Sequence, residues 1–231
     1  MSGGSQHAEI VTVETPALGD RSYLLISGET AAAIDPQRDI ERFERVLRDR
    51  GLRLTHVFET HVHNDYVTGG LELARRAGAD YVLAEADNVA FDRTGARDGD
   101  EFAVGPLVVR ALHTPGHTPT HMSYVVIEQG RPVAVFTGGS LLYGTVGRTD
   151  LIGEDATDGL TRAQFHSVRR LAGDLPGDVS VLPTHGFGSF CSAQSTSGAT
   201  ASTIDQERRS NLALTLDDEE TFVERLLGGL T

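Results

Sequence analysis

Two histidines and an aspartate occupy alternate positions in the segment Thr60-His61-Val62-His63-Asn64-Asp65-Tyr66. Residues two apart point in different directions on a helix, whereas on an extended or tightly turned segment their side chains share a face. His61 and His63 can therefore reach one metal ion from a strand end or a loop. The spacing predicts a metal-binding loop, with Asp65 as a further ligand or a catalytic carboxylate. The alternative is a pair of surface histidines beside a solvated aspartate.

Two more histidines follow apolar segments that predict strands. His117 comes after a strand near 107–112, and the intervening Pro115-Gly116 predicts a tight turn. His185 follows the apolar stretch 179–182 and precedes a glycine-containing loop. Because the ends of strands are the usual place for sites in α/β proteins, these histidines are predicted to share one centre with the first pair. Imidazole and carboxylate ligands without thiolates suit zinc or ferrous iron.

The elements that must position these residues alternate along the chain. A short buried strand at 54–59 is predicted to deliver the first motif, and Gly69-Gly70 opens a helix behind it. Ile40, Phe43 and Leu47 form one helical face that ends at Gly51. Further strands are predicted near 9–14, 22–27, 31–35, 122–126 and 133–136, further helices at 160–171 with Asp158 as a cap and around 222–227, and a loop at 192–202.

The order of the motifs resembles the metallo-β-lactamase superfamily. The resemblance rests on the His-x-His-x-Asp loop at 61–65, on Thr114-Pro115-Gly116-His117 and on the later His185, and it covers nearly the whole chain. It implies an α/β fold of the αββα type, in which two mixed β-sheets are flanked by helices. It also implies that residues 1–231 form a single metallo-β-lactamase-like domain, and no rhodanese domain is expected within them.

Within that superfamily the chain looks most like the persulfide dioxygenase and rhodanese-linked branch, which is related to glyoxalase II. That resemblance implies one Fe(II) per chain and the oxidation of a low-molecular-weight thiol persulfide to sulfite, a reaction of sulfur metabolism. A separate sulfurtransferase is then a conceivable partner. The segments that carry it are Ile34-Asp35-Pro36, Glu59 to Tyr66, Phe136-Thr137-Gly138, Val146-Gly147-Arg148-Thr149-Asp150-Leu151 and Glu207-Arg208-Arg209-Ser210-Asn211.

Two departures from the family pattern affect the predicted site. Superfamily hydrolases usually carry a histidine where this chain has Tyr66, which favours a mononuclear centre. The aspartate that the family places after Phe-Thr-Gly is replaced by Gly139. In the dioxygenase branch this aspartate holds iron together with the equivalents of His61 and His117. His63 or Asp65 could complete the set, water could fill the position, or the metal could bind weakly.

Tyr66 and Arg148 each have two interpretations. Tyr66 is a candidate catalytic residue that donates a hydrogen bond to a bound oxygen species or anion, or it packs over the following helix. Arg148 could bind a substrate carboxylate, because a guanidinium matches that group bidentately. Alternatively, Arg148 pairs with Asp150 and fixes its own loop.

Composition limits the classes of partner and the compartment. A formal net charge of −13 argues against nucleic acid, whose binding needs clustered Lys and Arg. The single cysteine, Cys191, is expected to be a small buried residue, and it excludes an intramolecular disulfide. No signal peptide and no apolar run of membrane-spanning length is apparent, so a cytoplasmic location without membrane contact is expected. A homodimer is compatible with the sequence.

The resemblance and these residues together leave three functions open. The first is an iron persulfide dioxygenase, with Gly139 counting against it. The second is a zinc-dependent thioester hydrolase of the glyoxalase II type, in which a metal-bound water attacks a carbonyl. The third is a binding module whose metal site is depleted. Retention of all five candidate ligands argues against complete loss of metal binding; they are His61, His63, Asp65, His117 and His185.

Overall fold

The computed structural model describes residues 7–188, 191–193 and 199–230. Its strands are β1 (Glu9–Thr15), β2 (Asp20–Ser27), β3 (Thr30–Ile34), β4 (Arg53–Phe58), β5 (Asp80–Ala84), β6 (Thr94–Ala96), β7 (Glu101–Val104), β8 (Leu107–His113), β9 (Met122–Glu128), β10 (Arg131–Gly138), β11 (Ser180–Pro183) and β12 (Ser202–Thr203). Its helices are α1 (Glu41–Arg50), α2 (Gly70–Ala77), α3 (Glu154–Asp174), α4 (Ile204–Ser210), α5 (Leu212–Thr215) and α6 (Glu219–Leu227).

The strands form two six-stranded mixed sheets. The N-terminal sheet runs β1-β2-β3-β4-β5-β6, antiparallel up to β3 and parallel from β3 to β6. The C-terminal sheet runs β12-β11-β10-β9-β8-β7, with β10 and β11 as its parallel pair. A parallel pair needs a crossover, and α1, α2 and α3 supply the connections from β3 to β4, from β4 to β5 and from β10 to β11. The two mixed sheets with flanking helices confirm the predicted αββα architecture.

Three apolar layers hold the sheets and helices together. The central layer lies between the sheets and includes Phe58 and Tyr124, whose ring centroids are 4.8 Å apart. The second layer joins the N-terminal sheet to α1, where Phe43 and Leu47 are buried as their helical spacing predicts. The third joins the C-terminal sheet to α3 and α6. Burial on both sides explains why the central strands are apolar over most of their length.

Helix boundaries agree with the sequence where a backbone signal is present. α1 ends at Gly51, whose φ of 65° is the left-handed conformation that glycine adopts without steric cost. The prediction that Asp158 caps the long helix was wrong, because α3 already begins at Glu154. Asp158 lies one turn inside the helix, where its carboxylate binds Arg162 four residues on at 2.9 Å. Of the loop predicted at 192–202, residues 194–198 lie outside the described part of the chain.

Both sheets deliver their functional loops to one edge. The loop after β4 carries His61, the loop after β8 carries His117, and the loop after β11 carries His185. A hydrogen bond of 2.7 Å from the Met122 N–H to the Thr60 carbonyl joins the two sheets beneath these loops. Within the described residues, no helix has the length and apolar composition that a membrane crossing requires.

Candidate metal centre

His61, His117 and His185 converge at the shared edge of the two sheets. Their rings are almost fully buried, and each can place one nitrogen within 4.8 Å of the others. The Nε2 atoms of His61 and His185 are 3.2 Å apart. The Nε2 atom of His117 is buried without a hydrogen-bond partner among the described residues. Buried imidazole nitrogens left in this way fit a metal ion, which is their usual partner.

The partners of the other ring nitrogens set the tautomers. His117 donates Nδ1–H to the Arg148 carbonyl at 2.7 Å, because a carbonyl can only accept. His185 donates Nδ1–H to the buried Asp20 carboxylate at 2.9 Å. Each ring therefore keeps its Nε2 lone pair. Carbonyl and carboxylate acceptors behind metal-binding histidines fix the orientation of the ring in this way.

The tautomer of His61 follows from a longer chain of hydrogen bonds. Thr60 donates its hydroxyl to Asp35 Oδ2 at 2.7 Å, so its oxygen is free to accept from His61 Nδ1 at 2.8 Å. Asp35 is fully buried and has a φ of 48°, a left-handed conformation that aspartate tolerates better than most residues. His61 therefore also keeps its lone pair on Nε2.

The electrostatics keep two of the converging imidazoles, His61 and His117, neutral. Burial and the neighbouring His185 lower the pKa of His117 to about 3. Burial and the surrounding histidines hold the pKa of His61 well below its usual range. Metal ligands must offer lone pairs, and a protonated imidazole has none, so this environment prepares both rings for a metal.

His63 turns its Nε2 away from the three converging histidines and toward buried carboxylates. That atom lies 3.3 Å from Asp35 Oδ1 and 3.5 Å from Glu59 Oε2. Burial lowers the pKa of His63, but Asp35 and Glu59 outweigh it and raise the pKa to about 10. A doubly protonated ring has no lone pair, so His63 would bind metal only after losing the proton on Nδ1.

Asp65 and Tyr66 lie on either side of this centre. Asp65 Oδ2 is 3.4 Å from His185 Nδ1, and its carboxylate can also join a set with His63 and His185. Tyr66 stacks on His63 with ring centroids 4.3 Å apart. Its hydroxyl donates to the Asp35 carbonyl at 3.2 Å and lies 3.0 Å from His63 Nε2. Tyr66 therefore packs and hydrogen-bonds within the carboxylate cluster, and its catalytic role stays a prediction.

Gly139 makes room for the ring of His117. A Cβ atom at position 139 would overlap this ring and would lie 2.6 Å from its Nε2 atom. On the other side, a Cβ atom at Gly147 would lie 2.7 Å from His117 Nδ1. The family aspartate is missing at a position where the backbone packs directly against a candidate ligand.

His121 is a residue of the site that sequence reasoning missed. Its buried ring stacks on His61 with centroids 5.1 Å apart. The Gly139 N–H donates to His121 Nε2 at 3.1 Å, so His121 Nδ1–H donates to Thr114 Oγ1 at 3.0 Å. Both nitrogens are used, which makes His121 a support for the Gly139 backbone rather than a ligand. Its position seven residues after Thr114 carried no spacing signal.

Arg148 contacts the metal centre through its backbone rather than through its side chain. Its guanidinium binds Asp150 at 2.9 and 2.6 Å, the second of the two interpretations offered by the sequence. Its carbonyl holds His117, and its N–H donates to the Cys191 carbonyl at 2.9 Å. Cys191 is buried as expected, with Sγ 3.6 Å from Asn64 Oδ1 in the first motif. A substrate-binding role for Arg148 stays a prediction.

The fold and this histidine centre define a class of protein. The family model described as "Metallo-beta-lactamase superfamily" matches residues 21–185, and the chain belongs to that superfamily. The match spans the first histidine motif, His117 and His185, and so contains the three converging histidines. The resemblance inferred from the motifs is confirmed.

Individual members of the superfamily are similar to this chain over most of its length. The chain is 32% identical to the human mitochondrial persulfide dioxygenase ETHE1, over 94% of this chain and 76% of that protein. It is 30% identical to a probable polyketide biosynthesis zinc-dependent hydrolase, BaeB, of Bacillus velezensis, over 70% of each chain.

Solved structures agree with both the fold and the branch. A metallo-beta-lactamase from Staphylococcus aureus superposes with a TM-score of 0.87 at 28% identity, covering 95% of this chain and 67% of that one. ETHE1 from Myxococcus xanthus superposes with a TM-score of 0.79 at 30% identity, covering 95% and 90%. The similarity to persulfide dioxygenases thus extends over most of the chain.

Proposed function

We propose that this protein is a mononuclear iron enzyme of the persulfide dioxygenase type, whose metal is held by His61, His117 and His185. The observation that carries the proposal is the convergence of three buried imidazoles, at least two of them held neutral. Similarity to persulfide dioxygenases over 94% of the chain supports the reaction type. His185 then takes the place of the family aspartate, which is replaced by Gly139 in this chain.

The proposed reaction balances with dioxygen and water. A thiol persulfide, R–S–SH, reacts with O₂ and H₂O to give R–SH, sulfite and two protons. The S–S bond breaks, and the outer sulfur loses four electrons, which dioxygen accepts. Bound Fe(II) would supply open coordination positions and the ability to activate dioxygen.

The protein's own residues bind and orient the reactants. His61, His117 and His185 would hold the metal. Asp20, Thr60 and the Arg148 carbonyl hold the rings in place through hydrogen bonds. The Asp35–Glu59–His63 cluster lies beside the centre and can exchange protons with it through Nδ1 of His63, which has no hydrogen-bond partner among the described residues. Preorganisation of this kind is how proteins fix the geometry of a metal site.

Metal content is the first experiment. Protein expressed with both iron and zinc available, and purified without a metal-affinity tag, is analysed by plasma mass spectrometry. We expect close to one iron per chain and oxygen uptake that depends on added persulfide, with sulfite as product. Iron-loaded protein that consumes no oxygen with any thiol persulfide would refute the proposal.

A zinc-dependent thioester hydrolase is the second candidate. Three histidines are also a ligand set of catalytic zinc, and a probable zinc-dependent hydrolase is among the relatives. Zinc in the purified protein, together with turnover of a thioester panel, would select this function. Little metal of any kind, even after reconstitution, would instead select the binding module.

Two expectations about the cellular setting belong to the same proposal. A sulfurtransferase acting as a separate protein would supply the persulfide or consume the product, and a cytoplasmic location fits that role. Coexpression and copurification of this chain with candidate sulfurtransferases would test the first, and localisation of a fluorescent fusion would test the second.

A further inference from the structure

The ring of His117 lies in a slot whose walls are backbone rather than side chains. Gly139 lies against the Nε2 side of the ring and Gly147 against the Nδ1 side, since a Cβ atom at either position would come within 2.7 Å of that nitrogen. A hydrogen bond of 2.9 Å from the Gly147 N–H to the Gly139 carbonyl joins the two walls. A glycine has no side chain that could pack and fix its own backbone, so neighbouring elements must set the position of both walls.

Helix α3 places three buried polar side chains beside this slot. Thr161, Gln164 and Ser167 are three residues apart, so they follow one side of the helix. None of them is more than 5% exposed, and they lie among apolar residues such as Phe165 and Val168, which pack in the layer between α3 and the C-terminal sheet. Burial of a polar side chain costs stability unless the group is hydrogen-bonded, so the partners of these three side chains show what they support.

Gln164 contacts two of the segments that enclose the ring. Its Nε2–H donates to the carbonyl of Ser140, the residue directly after Gly139. The backbone of Gly116, the residue directly before His117, lies against the same side chain, because a Cβ atom at Gly116 would lie 2.5 Å from both Cα and Cβ of Gln164. One side chain therefore supports both the wall of the slot and the turn that carries the ring.

Thr161 and Ser167 hold two further segments of the slot. Ser167 donates its hydroxyl to the Pro115 carbonyl at 2.7 Å, in the turn that carries His117. The hydroxyl groups of Thr161 and Thr149 form a buried hydrogen bond of 2.7 Å, in the loop whose backbone carbonyl accepts from the His117 ring. All three segments around the ring are thus attached to one helix.

The amide of Gln164 provides a directional contact that an apolar side chain could not. Its Oε1 atom is buried without a hydrogen-bond partner among the described residues, so only half of the amide is satisfied. A methionine or leucine would fill similar space without this cost. Hydrogen bonds depend on direction, whereas apolar contacts do not, so only a donor fixes the orientation of the Ser140 carbonyl.

We propose that Gln164 is a positioning residue for His117 and that, together with Thr161 and Ser167, it makes α3 the element that places this metal ligand. Gln164 acts through the glycine walls of the slot and through the turn before His117. The inference rests on the proposed function only in taking His117 as a ligand. It is independent of which metal binds and of which substrate reacts.

Gln164→Met tests this role, because methionine keeps the length of the side chain and removes its donor. The matched control is Val168→Ala, one turn further along the same helix, which removes buried apolar contacts and no hydrogen bond to the slot. Chelator competition with Co(II) on the full chain should show an affinity about tenfold lower in Gln164→Met, as for other residues that hold a ligand in place. Val168→Ala should unfold more easily and keep the Co(II) affinity of the unmodified protein.

Two spectroscopic signals distinguish positioning from general stability. The visible absorption bands of bound Co(II) report the geometry of its ligands, and they should shift in Gln164→Met and stay in place in Val168→Ala. In the metal-free full chain labelled with ¹⁵N-histidine, the His117 Nδ1–H that is bonded to the Arg148 carbonyl should give its own resonance. This resonance should shift or disappear in Gln164→Met and be unchanged in Val168→Ala.

Failure of this inference differs from failure of the proposed function. None of the measurements needs persulfide or turnover, and the histidine resonance decides even if the chain binds no metal. An unchanged affinity and unchanged spectra in Gln164→Met, or equal changes in Gln164→Met and Val168→Ala, would overturn the positioning role.

Ser167→Ala takes the place of Gln164→Met if that variant does not fold. It removes only the hydroxyl that holds the Pro115 carbonyl, so the packing of α3 is kept. The Co(II) affinity should fall about fivefold, the value of one neutral hydrogen bond, and the His117 resonance should shift. Unchanged affinity and an unchanged resonance in Ser167→Ala would then overturn the proposal.

Discussion

The ring of His117 fills the space that a side chain at position 139 would need. A Cβ atom there would lie 2.6 Å from both Cγ and Nε2 of the ring, closer than Cβ atoms come to other groups in real proteins. Gly139 also donates its N–H to His121, which holds the backbone in this position. The glycine and the histidine are therefore fitted to each other, and the missing carboxylate is part of how this site is built.

Restoring the family aspartate should weaken the site. If the missing carboxylate only weakened the site, Gly139→Asp would raise iron affinity, but the new Cβ atom must displace the His117 ring. We expect Gly139→Asp and Gly139→Ala both to lower metal affinity at least about tenfold, since misplacing one imidazole ligand costs this much or more. Chelator competition measures the affinity.

A glycine with open space around it is the matched control for this pair. Gly159 lies inside α3, and apart from the neighbouring backbone of that helix no atom lies within 4 Å of the position that a Cβ atom would take there. Gly159→Ala should therefore keep the metal affinity and add about 0.5–1 kcal/mol of stability. A higher iron affinity in Gly139→Asp would show that the new carboxylate becomes a ligand and that the ring of His117 yields.

Asp20→Asn should weaken metal binding without removing a ligand. The buried Asp20 carboxylate accepts from His185 Nδ1, which fixes the ring with Nε2 toward the other two histidines. Loss of such a partner typically lowers metal affinity about 10–100-fold. Competition with a chelator on Asp20→Asn and on the exposed control Asp49→Asn measures the difference. Unchanged affinity in Asp20→Asn would remove His185 from the ligand set.

Asp35→Asn should lower stability in a pH-dependent way. Burial raises the pKa of Asp35, but His63, Thr184 and the Thr60 N–H outweigh it and bring the pKa down from 3.8 to about 2. A carboxyl whose pKa is depressed in the folded state stabilises the fold above pH 3.8, and this contribution is lost as the pH falls through 2. The depression corresponds to about 2 kcal/mol.

Urea unfolding of both metal-free proteins at several pH values measures this contribution. Asparagine tolerates the positive φ of residue 35, so the comparison reports the charge and its hydrogen bonds rather than backbone strain. The difference in the free energy of unfolding should shrink as the pH falls from 4 toward 2. A gap that stays constant over this range would contradict a depressed pKa.

Tyr66→Phe separates a packing role from a catalytic one. The hydroxyl is bound to the Asp35 carbonyl and to His63, while the ring stacks on His63. Removing the hydroxyl should cost about 0.5–1.5 kcal/mol of stability, the net value of a hydrogen bond, and should lower kcat less than tenfold. A fall of about 100-fold or more, the range of a general acid or base, would give Tyr66 a direct role in the reaction.

Local patterns were enough to predict the fold and the convergence of histidines at strand ends. His61, His117 and His185 each follow an apolar strand, and strand ends on one edge bring distant residues together. The role of His121 could not be read in the same way, because it depends on a hydrogen bond to a backbone eighteen residues away. The orientation of His63 toward Asp35 and Glu59 could not be predicted for a similar reason, since contacts across the sheet produce no pattern in the sequence spacing.

Arg148 attracted attention through its motif, yet its guanidinium is occupied by Asp150. Which arginine remains available to a ligand is decided by tertiary pairing rather than by residue type.

The hydrogen bond between Met122 and Thr60 marks the seam where the two sheets meet. His61 comes from the N-terminal sheet, whereas His117 and His185 come from the C-terminal one, so a metal at this centre would cross-link the two halves of the molecule. Any ion that binds only this assembled arrangement stabilises it by mass action. The cofactor would then also act as a clamp, and the cell's supply of metal would set how firmly the halves are held together.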